Sequence, residues 1–299
     1  MEKIYIAKNQ AAVFLTTDGQ EIEVSLEMIT PELAQVYRGR VQNNRAIKAK
    51  TVDAYARDMA DGKWRVNGEP LIFFKGGAQA DGEHRELACI KAGVPFETLV
   101  VRGIDGEAMK TINSGVKRNT GDKLKIEFGE EIADSITTAS VIKSILDLRD
   151  GGTMITSNTR LYSETEILEE FGSNKNKYND IVRFAATMYS KNRSITKSEI
   201  ATMAYWLIYD LHHSEEKVKS FFRQFADVDA ACVTVRTLRQ RLNAIKDKDG
   251  ETRVDVGGGK SIAVIRRILI TKAWNAYAEG KDLSVINYVY DRDKVLKLI

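Results

Sequence analysis

Between residues 3 and 26, the β-prone runs KIYIA, AAVFLTT and QEIEVSL are interrupted by Asp18-Gly19. Asp-Gly between such runs favours a tight turn, so the pattern predicts an N-terminal hairpin. Thr30-Pro31-Glu32 then opens a short helix, with Thr30 as N-cap and proline at the first position. From Ile47 to Met59 the apolar positions Ile47, Val52, Tyr55, Ala56 and Met59 approximate a helical stripe that Gly62 stops. LIFF at 71–74 reads as a short buried strand, 75–79 as a turn, 83–91 as a helix ended by Gly93, and FETLVVRG as a returning strand.

Beyond Phe96 the pattern changes. The three prolines are Pro31, Pro70 and Pro95, so the last two thirds of the chain contain none, which suits helices. Ser163-Glu164-Thr165-Glu166 and Thr196-Lys197-Ser198-Glu199 each match the capping box and precede an apolar-periodic run. Further helices are expected at 134–149, 176–190, 214–226, 234–246 and 260–279, with flexible points at Gly151-Gly152, Gly172 to Lys177 and Lys246 to Gly259. The fold class is therefore α+β, with an α+β domain over 1–125 followed by an all-α domain over 126–299.

Composition narrows the class. Of 299 residues, 43% are hydrophobic and 29% charged, which excludes a disordered tail and a membrane protein. The N-terminus lacks a signal-peptide pattern and no apolar run reaches about 18 residues, so a cytoplasmic protein with no membrane partner is expected. Cys89 and Cys232 are the two cysteines, far apart, which argues against a disulfide framework or a zinc cluster. The first 120 residues carry 17 basic and 16 acidic side chains, whereas from Ala231 onward there are 14 basic and 8 acidic. DNA or RNA contact is therefore expected at the C-terminal end, where TVRTLRQRLNAIK carries Arg236, Arg239, Arg241 and Lys246; a solvated helix face is the alternative.

The stretch QADGEHRELACIKAG, residues 79–93, places Gly82, an acid, a His and an Arg at a strand-to-helix junction. The first turn of a helix exposes backbone N–H groups and the positive end of its dipole. Gly82 would admit an anion there, and Arg85 would clamp it with its forked donors. Glu83 could hold a metal or accept a proton, and His84 could donate to an oxyanion. An ordinary helix start, with a turn Gly and Asp81 as cap, accounts for the same residues. Asn113-Ser114-Gly115 is turn chemistry able to present backbone N–H groups, with Lys117 and Arg118 suited to a second phosphate contact. Arg45 is a third candidate. VDVGGGKS at 254–261 lacks the P-loop spacing, and His212-His213 point in different directions and suit no shared metal.

Gly82 to Ala88, GEHRELA, resembles the G-E-R-R-x-x-A box of the ParB family, with His84 in place of the first Arg. It is similar also to the G-C-H-R box of sulfiredoxin, with Glu83 in place of the nucleophilic Cys, so thiol reduction of the sulfiredoxin kind is excluded. The order VDAYARDMADGKW, NGEPLIFF, the box and AGVPFETLVVRG resembles ParB/sulfiredoxin-like domains of phage and actinobacterial proteins over roughly residues 20 to 125. The resemblance implies a mixed sheet and a nucleoside triphosphate, CTP or ATP, as ligand of Asp81, Gly82, Glu83, His84 and Arg85. It implies hydrolysis or phosphoryl transfer with Glu83 and Arg85 as the catalytic pair and Glu83 as ligand to Mg²⁺, in a DNA-related process. Homodimers are frequent in the family. The family's later E-N-x-x-R box has its nearest counterpart in TINSGVKR, where Asn113 and Arg118 match but Ile112 stands in place of the acid, which leaves Mg²⁺ use open. A DNA-binding or adaptor protein with a degenerate domain, and a metal-dependent DNA nuclease, are the alternatives.

Overall fold

The computed structural model describes residues 10–41, 46–112, 118–157, 160–245, 262–288, 293 and 295–299. The chain separates into two compact units, Met1–Lys117 and Arg118–Ile299.

In the first unit, β1 (Ala11–Leu15) and β2 (Glu21–Ile29) form the expected hairpin, with Ala11 opposite Ser25 and Leu15 opposite Glu21. Gly19 takes the turn at φ 82°. KIYIA lies outside the described residues. Thr30 caps α1 (Pro31–Arg38), its hydroxyl accepting from the Leu33 N–H. Next come α2 (Ala49–Ala60), β3 (Leu71–Phe74), β4 (Gln79–Asp81), α3 (Glu83–Ala92) and β5 (Phe96–Ile104). Gly93 ends α3 in the left-handed region at φ 66°, a conformation without penalty only for glycine.

The sheet runs β1-β2-β5-β3-β4, with β3 and β5 parallel and the other neighbours antiparallel. It is mixed because β4 and α3 carry the chain back before β5 is laid down. Alternation directs Phe96, Thr98 and Val100 of β5 and Leu71 and Phe73 of β3 inward. The apolar ones pack with Ala34 and Tyr37 of α1, Val52, Ala56 and Met59 of α2, and Ala88 and Cys89 of α3. The start of α3 is thereby fixed against the centre of the sheet.

The second unit contains α4 (Thr120–Phe128), α5 (Ser135–Arg149), α6 (Glu164–Lys191), α7 (Lys197–Tyr205), α8 (Glu215–Ala226), α9 (Val233–Ile245) and α10 (Ile262–Ala278). The division expected at 125/126 falls inside α4. Both capping boxes form, Ser163 with Glu166 and Thr196 with Glu199. Within the stretch Gly172 to Lys177, where a break is expected, α6 is interrupted by a kink at Asn174 (φ −132°, ψ 24°). Phe171 and Tyr178 are both fully buried on either side of that polar stretch, so tertiary packing carries the helix through residues whose local preference is for a turn. Past α7 the backbone continues as a π-turn over Trp206–Asp210. Tyr205, Phe221 and Phe222 are core residues, as their helical spacing implies, and Trp206 packs against that core half-buried. Lys246 to Gly259, and all of 254–261, lie outside the described residues. Among the described residues no helix is long and apolar enough to cross a membrane.

Candidate functional site

Gly82 sits between β4 and α3 with φ 121°, outside the range open to ordinary L-residues. A Cβ there would lie 2.2 Å from Leu71 Cδ2 and 3.2 Å from Gln79 Nε2. Packing against β3 thus gives Gly82 a steric reason independent of any ligand. Having no side chain, it leaves the first turn of α3 without a side-chain cap, although Glu83 and Glu86 lie in that turn and complement the helix dipole.

Arg85 turns inward. It is 7% exposed; Nη1 donates to the Glu69 carbonyl and Nη2 to the Pro70 carbonyl at 2.6 Å, with Asp81 Oδ2 at 3.7 Å. Burial lowers its pKa, opposed by the charges of Asp81 and Glu69. Both ends of the fork read as a phosphate clamp in the sequence therefore hold the segment preceding β3 onto α3. The reason lies in helical spacing: Arg85 is three and four positions before Ala88 and Cys89, on the face that packs against the sheet.

Glu83 is 8% exposed and meets Arg38 Nη2 at 3.4 Å. Arg38 keeps 38% of its side chain exposed, making it a cation beside the helix start that can also reach solvent. His84 Nε2 accepts from the Lys48 backbone N–H at 3.1 Å. That bond ties α3 to the entry of α2. Asp81 is half-buried beside Arg85.

Arg45, Asn113, Ser114 and Lys117 lie outside the described residues. Arg118 is exposed and belongs to the second unit. The structure therefore brings together Asp81, Gly82, Glu83, His84 and Arg85, and adds Arg38. It also adds two polar residues that the motif passes over. Gln79 is 2% exposed and Glu86 0%; Gln79 Nε2 donates to Glu86 Oε1 at 2.6 Å. Glu86 Oε2 and Gln79 Oε1 are buried with no hydrogen-bond partner. Burial pushes the Glu86 carboxyl up to about 7, against the lowering effect of Gln79 and of the Arg85 charge. The sequence signal for Glu86 was its position three residues before the buried Cys89, on the inward face of α3.

The described residues offer no all-protein cage for Mg²⁺, an ion usually held by one or two carboxylates together with substrate phosphates. Glu83 is committed to Arg38, Glu86 holds its proton up to near neutral pH, and among the described residues no group of three or more His, Cys, Asp or Glu side chains could hold a metal ion. Cys89 is fully buried, its thiol directed to the Ile29 carbonyl at 3.5 Å and pushed up to about 11 by burial, which makes it unreactive.

The basic helix α9 does not present one cationic face. Arg236 is exposed, Arg239 Nη1 donates to the Phe225 carbonyl at 3.3 Å, and Arg241 is half-buried. Arg241 also lies about 140° around the helix from Arg236, at about 100° per residue. Lys246 lies outside the described residues. His212 takes a positive φ of 59°, and the His213 ring meets Trp274 edge-on at 5.3 Å.

A scan against protein-family models, a search of curated proteins and a search of solved structures each return no match for this chain. The arrangement combines a helix start without a side-chain cap, the Arg38 guanidinium beside it, and the carboxyl groups of Glu83 and Glu86 in the same turn.

Proposed function

We propose that this chain is a nucleotide-binding protein of the ParB/sulfiredoxin-like type, taking the phosphates of CTP or ATP at the start of α3 in a DNA-related process. The observation that carries the reading is the uncapped first turn of α3, entered through Gly82 at φ 121°, with Arg38 alongside. Backbone N–H groups and the helix dipole favour a phosphate at such a place, and a guanidinium adds a forked donor. Arg38 takes the phosphate-binding role, while Arg85 is a positioning residue that holds 69–70 against α3. Glu83 orients Arg38 through their ion pair, and His84 keeps the helix start in register with α2. Hydrolysis or phosphoryl transfer would rest on positioning and charge stabilisation by these groups.

One observation favours a second reading, a DNA-binding or adaptor protein whose ParB-like domain has lost its ligand: the Arg85 fork is already engaged by two carbonyls. The two readings separate in one experiment. Thermal shift is recorded for wild type and Arg38→Gln with CTP, ATP, GTP and UTP, each with and without Mg²⁺. A ligand at about 100 times its Kd stabilises the folded state by about 2.7 kcal/mol. One nucleotide raising the wild-type melting temperature but not that of Arg38→Gln supports the nucleotide reading. No shift with any nucleotide, together with DNA affinity that falls steeply with salt and ignores Arg38→Gln, supports the adaptor. Light scattering on the same samples reads the homodimer that the resemblance implies.

A further inference from the structure

The helical unit contains a cavity of about 310 Å³ built from α5, the connection leading into α6, α7 and α10. Its origin is in the side chains that α5 and α7 turn toward one another. The Ser140 and Ser198 hydroxyls are 3.0 Å apart, and one turn further along each helix come Ser144 and Thr202, both lining the cavity. These short polar side chains leave a space whose opposite wall is made by Leu148, Met154, Leu161 and Tyr162.

The polar groups around it have unequal partners. Glu199, 6% exposed, accepts from the Thr196 N–H and hydroxyl at 3.1 and 2.9 Å and from Arg266 Nη2 at 2.9 Å. Its charge is met by Arg266, whose side chain is 12% exposed. Arg267, the next residue, reaches the same carboxylate at 3.3 Å with 41% of its side chain exposed, and so adds positive charge at the cavity rim. Lys143 Nζ donates to the Thr120 hydroxyl at 2.7 Å and, among the described residues, forms no ion pair. Lys143 and Arg267, from different helices, thus line a cavity together with Arg160, whose charge is met by Asp150 and Glu166, and with the hydroxyls of Ser144, Thr153, Ser157, Ser198 and Thr202. Asp147, 9% exposed, accepts from the Ser157 hydroxyl at 3.0 Å in the same wall.

We propose that this cavity binds a small hydroxylated organic phosphate. The phosphate is held by Lys143 and Arg267, which approach it from α5 and α10. The ligand's hydroxyls exchange hydrogen bonds with the Ser and Thr side chains, which both donate and accept. The buried Asp147 carboxylate accepts from a hydroxyl and disfavours a second anionic group, so the cavity selects a phosphate monoester over a polyphosphate. Its volume, near the lower end of ligand pockets at about 300–1,000 Å³, agrees with a ligand of sugar-phosphate size. The site is built wholly within the second unit and does not depend on the reading of α3.

The test uses the full chain with ribose 5-phosphate and glycerol 3-phosphate as probes, and ribose and inorganic phosphate as controls, by calorimetry and saturation-transfer NMR. The variants are Lys143→Gln/Arg267→Gln, which leaves Glu199 paired with Arg266, and Ser144→Phe, which fills the cavity and keeps both cations. The expected result is that one ester binds wild type and Arg38→Gln equally, weakens at least tenfold in both cavity variants, and that ribose does not bind. The proposal is overturned if neither ester binds wild type, if either cavity variant binds as wild type does, or if inorganic phosphate binds as tightly as the esters, which would mean an adventitious ion only.

Discussion

Replacing Gly82 with Ala tests whether the turn that opens α3 is held by packing. The added Cβ would lie 2.2 Å from Leu71 Cδ2, and Leu71 is fully buried in β3, so its side chain has no open space to move into. The φ of 121° adds backbone strain. An unfavourable backbone region costs about 1–3 kcal/mol, and overpacking of a filled core costs about 1–3 kcal/mol. The combined loss is therefore at least about 2 kcal/mol, or about 30-fold in local opening at about 1.4 kcal/mol per decade. Gly93→Ala is the internal comparison. Gly93 has φ 66° and no atom within 4 Å of its would-be Cβ, so it incurs only the left-handed penalty of about 1 kcal/mol. Hydrogen exchange read peptide by peptide on α3 and β5 should show Gly82→Ala opening much faster than Gly93→Ala. Equal effects of the two substitutions, or a loss below about 1 kcal/mol for Gly82→Ala, would refute the packing argument.

Three further outcomes follow from the same contacts. Glu86 keeps its proton in the folded state up to about 7, whereas the unfolded carboxyl releases it near 4.5; stability therefore falls as pH rises through that window, on the order of 3 kcal/mol. Urea midpoints at pH 5 and pH 8 should differ less in Glu86→Gln than in wild type, and an unchanged difference contradicts a buried neutral carboxyl. Arg85→Met removes two donors from the Glu69 and Pro70 carbonyls and should cost about 3 kcal/mol; Arg85→Lys should not restore it, because an ammonium lacks the planar fork. Glu199→Gln leaves Arg266 without its buried counter-charge and weakens the α7 capping box, with a loss of about 3–5 kcal/mol in the urea unfolding of the helical unit.

Local signals were the legible ones. Asp18-Gly19 marked the hairpin, Thr30-Pro31 the start of α1, Gly93 the end of α3, and the Ser163 and Thr196 boxes the starts of α6 and α7. Each depends on hydrogen bonds within a few residues, which sequence alone specifies. What depends on distant packing was not legible. The polar run at 172–177 does break the helix at Asn174, as expected, but the chain resumes in line because Phe171 and Tyr178 are buried on either side of it. The motif placed Gly82 to Arg85 at the strand-to-helix turn, but the direction of Arg85 is set by the 69–70 backbone laid across it, and the role of Arg38 comes from α1, more than forty residues away. Glu86 follows the box, and only the sheet packed against α3 makes it a buried carboxyl.

The most direct measurement for the central claim is a calorimetric titration of CTP and ATP into wild type and Arg38→Gln, with the folding of each checked by its thermal melt. The account predicts saturable binding of one nucleotide to wild type and at least a tenfold loss in Arg38→Gln, which stays folded at the titration temperature though its melt is lowered by the loss of the Glu83 partner. Equal affinity in the two proteins, or no heat with either nucleotide, would contradict it.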